Sequence, residues 1–140
     1  MFKYIIIILS FVQSIILAQA EINSIIQKGL DYSYNFQLEE AEESFQKLID
    51  KYPNDPRGYH YKSGVYLWVF LSNRDDKSYS SFRKYSDKAI EKAEYILDEV
   101  DEENENATYI LGANYGFRAM ASMKKFSYLD AVWSVKNSNK

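Results

Sequence analysis

The stretch GLDYSYNFQLEEAEESFQKLIDKYP, Gly29 to Pro53, decides the fold. Within it Gly29, Tyr32, Ala41, Phe45 and Pro53 are spaced +3, +9, +4 and +8. Small and aromatic residues at these intervals describe two short antiparallel helices that pack closely and then stop. Upstream, Ile22, Ile25 and Ile26 continue the helical spacing of Gly29 and Tyr32, so the first helix runs to about Tyr34 and Asn35 ends it. The second spans about Leu38 to Lys51, with Ala41, Phe45, Leu48 and Ile49 on one face. Glu39, Glu40, Glu42 and Glu43 load its first turns with negative charge, which suits the positive end of the helix dipole. Pro53 closes it.

The same grammar continues downstream. In Asn54-Asp55-Pro56, Asp55 caps a new helix and Pro56 takes its first position, where no backbone donor is needed. That helix extends to about Leu71. Asn73 to Ser80 reads as a polar, turn-prone loop, and a long helix then runs from about Ser81 to Glu102. A third unit begins near Asn106 and reaches about Met123. After Lys124-Lys125, Ser127 and Asp130 resemble a capping box that opens a last helix carrying Leu129, Ala131, Val132 and Val135. Two prolines and no convincing alternation of apolar and polar residues make the chain all-α.

Tyr32, Tyr66 and Tyr115 occupy the same place in successive units, with Gly29, Ser63 and Gly112 three residues earlier. On these residues the chain resembles the tetratricopeptide repeat, a helix–turn–helix unit of 34 residues. The resemblance is most specific in the first unit and covers about Glu21 to Lys140. It implies antiparallel helix pairs stacked as a short α-solenoid of about three repeats, over residues 21–53, 54–103 and 104–140. The tyrosine intervals are 34 and 49, so the second unit is enlarged, by about one turn in each helix plus a longer loop. Lys124 stands in the third unit where Ala41 stands in the first. Gly112 and Gly116 read as mid-helix positions that allow close packing.

In the family the concave face is lined by the first helix of each repeat. Carried over by register, that face presents Tyr34, Arg57, His60, Trp68, Tyr109 and Phe117, an aromatic groove with one fixed positive charge. Such a groove suits a protein or peptide partner, because aromatic residues and Arg are the usual anchors of interfaces.

The start of the chain points to export. Met1 to Lys3 carries one positive charge, Tyr4 to Leu17 is mostly apolar, and Ala18-Gln19-Ala20 places small side chains where a signal peptidase requires them. Residues 1–20 are therefore expected to be a secretory signal peptide cleaved after Ala20, leaving a periplasmic or secreted protein without stable membrane insertion. The apolar stretch is short of the roughly 20 residues that span a bilayer. The formal net charge is −3 and becomes −4 once Lys3 is removed, which argues against a nucleic-acid partner. With no cysteine there is no disulfide, no thiolate chemistry and no site for lipid attachment.

His60 is the only histidine, which excludes a multi-histidine metal site and leaves a catalytic triad without a second candidate. The acids between Asp98 and Glu105 lack the alternating ligands and central glycine of a calcium loop. Asn106-Ala107-Thr108 matches a glycosylation sequon of little weight. No catalytic residue, cofactor or metal is expected. The expected function is an exported repeat scaffold similar to bacterial envelope repeat proteins. The alternatives are an accessory subunit or fragment of a larger protein or enzyme, and a structural homo-oligomer. Val132, Trp133 and Val135 lack a covering helix in the repeat scheme, which points to self-association through the C-terminal helix or to further sequence.

Overall fold

A computed structural model describes the backbone of residues 2–138, and the side chains of residues 4, 7, 10 and 12–126. Its elements are five helices: α1 (Phe2–Tyr34), α2 (Leu38–Lys51), α3 (Pro56–Asn73), α4 (Asp76–Glu99) and α5 (Glu105–Ser138). Each helix packs on the next. In addition α3 touches both α1 and α5, whereas α2 and α4 do not meet. Three helices thus form one layer and two form another.

Local chemistry sets the boundaries. The Asp55 carboxylate accepts from the Arg57 backbone N–H at 2.9 Å with Pro56 at the first helical position, as the sequence requires. Asp75 accepts from Ser78 N–H at 2.7 Å and starts α4, and Asn104 accepts from Ala107 N–H at 3.0 Å and starts α5. Helices α1 and α3 end on Phe36 and Arg74 in the left-handed conformation (φ 58° and 56°), a position that glycine usually fills. After α1 the Gln37 N–H closes back onto the Tyr32 carbonyl at 2.9 Å.

Two expectations are corrected here. The polar run Asn73–Ser80 is not a long loop, because only Arg74 and Asp75 lie outside helices and Asp75 caps α4 five residues earlier than expected. The enlargement of the second unit is mostly helix: α4 has 24 residues against 14 in α2. Secondly, α5 runs unbroken through Lys124-Lys125, so no sixth helix starts at Ser127. No proline or glycine follows Gly116, and lysine is a good helix former, so nothing stops the helix there. The side chains of Ser127, Leu129, Asp130, Ala131, Val132, Trp133 and Val135, on which the capping-box and exposed-edge readings rest, lie outside the described residues.

Among the described residues the core begins at Ile22. Ile22, Ile26 and Leu48 join α1 to α2, and Ala41, Phe45 and Val65 carry the packing onto α3. Leu67, Phe70, Phe82 and Ala121 join α3, α4 and α5, and Ala89, Ala93, Ala107 and Ile110 seal α4 against α5. Phe45 lies against Gly29, where an added Cβ would sit 2.6 Å from its Cζ. Gly58 allows a similar approach of α3 to α2, since a Cβ there would be 2.8 Å from Ile49 Cγ1. At Gly112 and Gly116 a Cβ would meet nothing within 4 Å, so neither serves close packing within the chain, contrary to expectation.

Two alanine substitutions therefore have opposite signs. Gly112→Ala gains helix propensity alone and should stabilise by up to about 1 kcal/mol. Gly29→Ala makes the same gain but drives Cβ into a buried ring, at an overpacking cost of about 1–3 kcal/mol, so it should destabilise. Urea denaturation midpoints of the two variants check both signs.

Candidate functional site

The candidate site is the face formed by α1, α3 and α5. Its centre is a chain of rings along α3. Tyr61 stacks on Phe45 with centroids 5.4 Å apart and meets the His60 ring edge-on at 5.0 Å. His60 in turn stacks on Phe117 at 5.6 Å with an interplanar angle of 5°, and meets Tyr109 edge-on at 5.9 Å. Of the six expected residues the structure brings Tyr109 and Phe117 each against His60.

The three others stand apart from that cluster. Trp68 is 66% exposed on α3 and Tyr34 77% exposed at the end of α1. Arg57 is half-buried, and the one fixed positive charge expected of the groove is paired. Its Nε lies 2.9 Å from Asp55 Oδ1 and one terminal nitrogen 2.6 Å from Asp55 Oδ2, with Gln19 Oε1 a further 3.2 Å acceptor. The capping carboxylate thus neutralises the guanidinium. Tyr61, missed by the repeat register, links these parts. Burial pushes its phenol above the usual range, the Tyr109 and Tyr34 phenols add to this, and Arg57 opposes it.

His60 is 3% exposed, a core residue rather than a lining one. This corrects its assignment as a partner contact. Asn114, at 0% exposure, donates through Nδ2 to His60 Nδ1 at 3.0 Å and to the Ile110 carbonyl at 2.8 Å. The Ser63 hydroxyl donates to the His60 carbonyl at 2.7 Å, with Asn114 Oδ1 at 3.4 Å. This bonding leaves Nδ1 as the acceptor of a neutral imidazole. Burial pushes the His60 pKa down to about 4, because a cation would be desolvated between aromatic rings. Asn114 sits at helical spacing between Ile110 and Ala121 on the buried stripe of α5. A lone amide within an apolar stripe was the signal that could have found it.

A second feature lies on the other layer, between α2 and α3. A cavity of about 330 Å³ is lined by Glu39, Glu42, Glu43, Gln46 and Lys62. Lys62, only 4% exposed, donates to Gln46 Oε1 at 2.6 Å, pairs with Glu42 at 3.2 Å and lies 4.7 Å above the Tyr85 ring centroid. The Tyr66 hydroxyl also donates to Glu42 and stacks its ring on Tyr85. Burial and that bond raise the Tyr66 phenol. The floor of this cavity is thus internally paired, a structural knot rather than an open charge.

Among the described residues no group of three His, Cys, Asp or Glu could hold a metal ion, and no helix is long and apolar enough to cross a membrane. Comparison of the chain with protein-family models, with curated proteins and with solved structures finds no match.

The histidine gives a pH prediction. Its folded pKa lies below the ordinary 6.5, so the unfolded chain binds the proton more readily. The penalty is absent above pH 6.5 and grows as pH falls towards 4, at up to about 1.4 kcal/mol per pH unit. Stability measured by urea melts should therefore fall between pH 6.5 and 5, a window above the carboxylate range. In His60→Gln that slope should vanish.

Proposed function

We propose that this protein is an exported, tetratricopeptide-like scaffold that binds a protein or peptide on the face shared by α1, α3 and α5. The observation that carries the reading is the packing order: consecutive helices pair, α3 also touches both α1 and α5, and α2 and α4 do not meet. That is the arrangement expected of stacked helix hairpins with the first helix of each pair on the inner face. The α5 helix then stands as a third first-helix whose partner helix is not formed by residues 105–138.

The inner face has the chemistry of an interface. Exposed Tyr34, Trp68 and Tyr109 offer large rigid contact area, and Gly64 between Arg57 and Trp68 leaves bare backbone, since a Cβ there would meet nothing within 4 Å. With Arg57 paired to Asp55 and His60 neutral, this face carries little net charge. It favours an uncharged, aromatic-binding peptide over an acidic one, which refines the expectation of a cationic groove.

Export is supported by where burial starts. The described side chains from Tyr4 to Glu21 are exposed, apart from half-buried Ala18, and the first buried residue is Ile22. Removing residues 1–20 would leave every buried residue among the described ones in place. Glu21, the new first residue, accepts from Lys51 and, at 2.8 Å, from the Tyr52 hydroxyl, which fastens the start of the shortened α1 to the end of α2.

Selection of binders from a displayed peptide library, followed by affinity measurements on Trp68→Ala, Tyr34→Ala and Tyr109→Ala, tests the binding face. Each truncation should weaken selected peptides severalfold or more, with the thermal melt little changed for Trp68 and Tyr34. Peptides indifferent to all three would refute the assignment. For export, N-terminal sequencing of the protein from the cell envelope should begin at Glu21.

A further inference from the structure

Helix α5 is held to the rest of the chain by few large apolar groups. Among the described residues it buries Ala107, Ile110, Asn114 and Ala121, and only Ile110 of these is a large apolar side chain. By contrast α2 buries Phe45, Leu48 and Ile49, and α3 buries Val65, Leu67 and Phe70. Apolar burial stabilises in proportion to the area removed from water, so the α5 contact is the weaker one. As the last of the five helices, joined to α4 through exposed residues 100–103, α5 can come away without opening the packing of α1 to α4.

The α3–α5 seam is centred on a polar contact that tolerates one protonation state. Asn114 Nδ2 lies 2.8 Å from the Ile110 carbonyl oxygen, which can only accept, so the amide nitrogen is the donor and its place is fixed. The same nitrogen meets His60 Nδ1 at 3.0 Å. A proton arriving at Nδ1 would set donor against donor. Turning the amide over would instead press Oδ1 against the Ile110 carbonyl. The titratable groups flanking the ring are the phenols of Tyr61 on α3 and Tyr109 on α5, and the Tyr34 phenol of α1 acts on Tyr61. The nearby cations are engaged elsewhere: Arg57 of α3 with Asp55, Lys62 of α3 with Glu42 of α2, and Arg118 of α5 with Asp87 of α4. Burial alone sets the basicity of His60, with no carboxylate from any helix to welcome an imidazolium.

We propose that His60 and Asn114 form an acid-labile latch: protonation of the imidazole at Nδ1 releases α5 from α3 and α4 while α1 to α4 stay packed. In the released form the ring meets water and takes up its proton at the ordinary pKa of 6.5, whereas the closed form resists until about 4. Between those values each unit drop in pH raises the released population by up to about tenfold. Tyr109 and Phe117 leave with α5, so the face that α1, α3 and α5 share comes apart in acid. The release stands on the chemistry of the seam alone, and only its use as a gate for a bound peptide rests on the function proposed above.

The test is native-state hydrogen exchange of the full chain between pH 7 and pH 5, comparing protection factors of residues 110–121 on α5 with those of residues 41–49 on α2. Protection on α5 should be the lower at every pH and should fall by up to about tenfold per unit below pH 6.5, a fall that His60→Gln removes. Equal protection of the two segments throughout would overturn the proposal, because the chain would then open as one body. So would a fall on α5 that persists in His60→Gln. The parent chain supplies a second readout that needs no variant, since His60 is the only histidine and its imidazole nitrogen chemical shifts are unambiguous. Those shifts should be those of a neutral ring protonated at Nε2 while α5 stays protected. A ring protonated at Nδ1, or an imidazolium at pH 5 with α5 protection unchanged from pH 7, would contradict the latch.

Discussion

An aromatic ring laid on a bare stretch of helix backbone sets the geometry of this protein. Phe45 is buried against Gly29, and no side chain other than hydrogen could stand between them. The contact brings α1 and α2 close enough for Ile22, Ile26 and Leu48 to meet on one side, and for Ala41 and Val65 to complete the layer on the other. Tyr61 then stacks on the far part of the Phe45 ring and passes the packing to α3. Without cysteines to staple it, a chain of this size depends on such close-packed contacts for its stability.

Buried polar groups fix which helix meets which. The Ser63–His60–Asn114 set spans α3 and α5, and the Lys62–Glu42–Gln46–Tyr66 set spans α2 and α3 with Tyr85 of α4 as its aromatic wall. Among the described residues no buried side-chain nitrogen or oxygen lacks a hydrogen-bond partner. Satisfied networks of this kind add little net stability but penalise any slipped pairing, because a shift of one helical position would strand a buried amide or amine. They let five helices of unequal length pack in a single register.

The sequence was most legible where backbone chemistry is strict. Asp55-Pro56 announced a helix start, and Gly29 with Phe45 announced a close approach; both stand in the structure. Legibility failed where a signal depended on context. The run NRDDKSYS looked like a loop because its residues are polar, yet Asn73 ends α3, Asp75 acts as a cap and Asp76 to Ser80 open α4, with Ser78 buried and Tyr79 packed on Phe70 and Phe82. Lys124-Lys125 looked like a break, although nothing in those residues stops a helix. His60 and Arg57 were assigned to a groove by register alone. Which way each turns depends on Asn114 and Asp55, one 54 residues away and one two residues away, and no periodicity encodes those pairings.

The chain is all-helical, and the proposed function rests on the aromatic, weakly charged face that α1, α3 and α5 share. That reading depends on one geometric premise, that the Gly-x-x-Tyr pattern of α1 marks where a second helix lies against a first. Nuclear Overhauser spectroscopy on the folded chain tests that premise most directly. The Gly29 α-protons should show strong cross-peaks to the Phe45 ring protons and ring-current-shifted resonances, while the Gly112 α-protons show neither. Absence of the Gly29–Phe45 cross-peaks, or an aromatic ring already seated over Gly112 in the isolated monomer, would contradict the account.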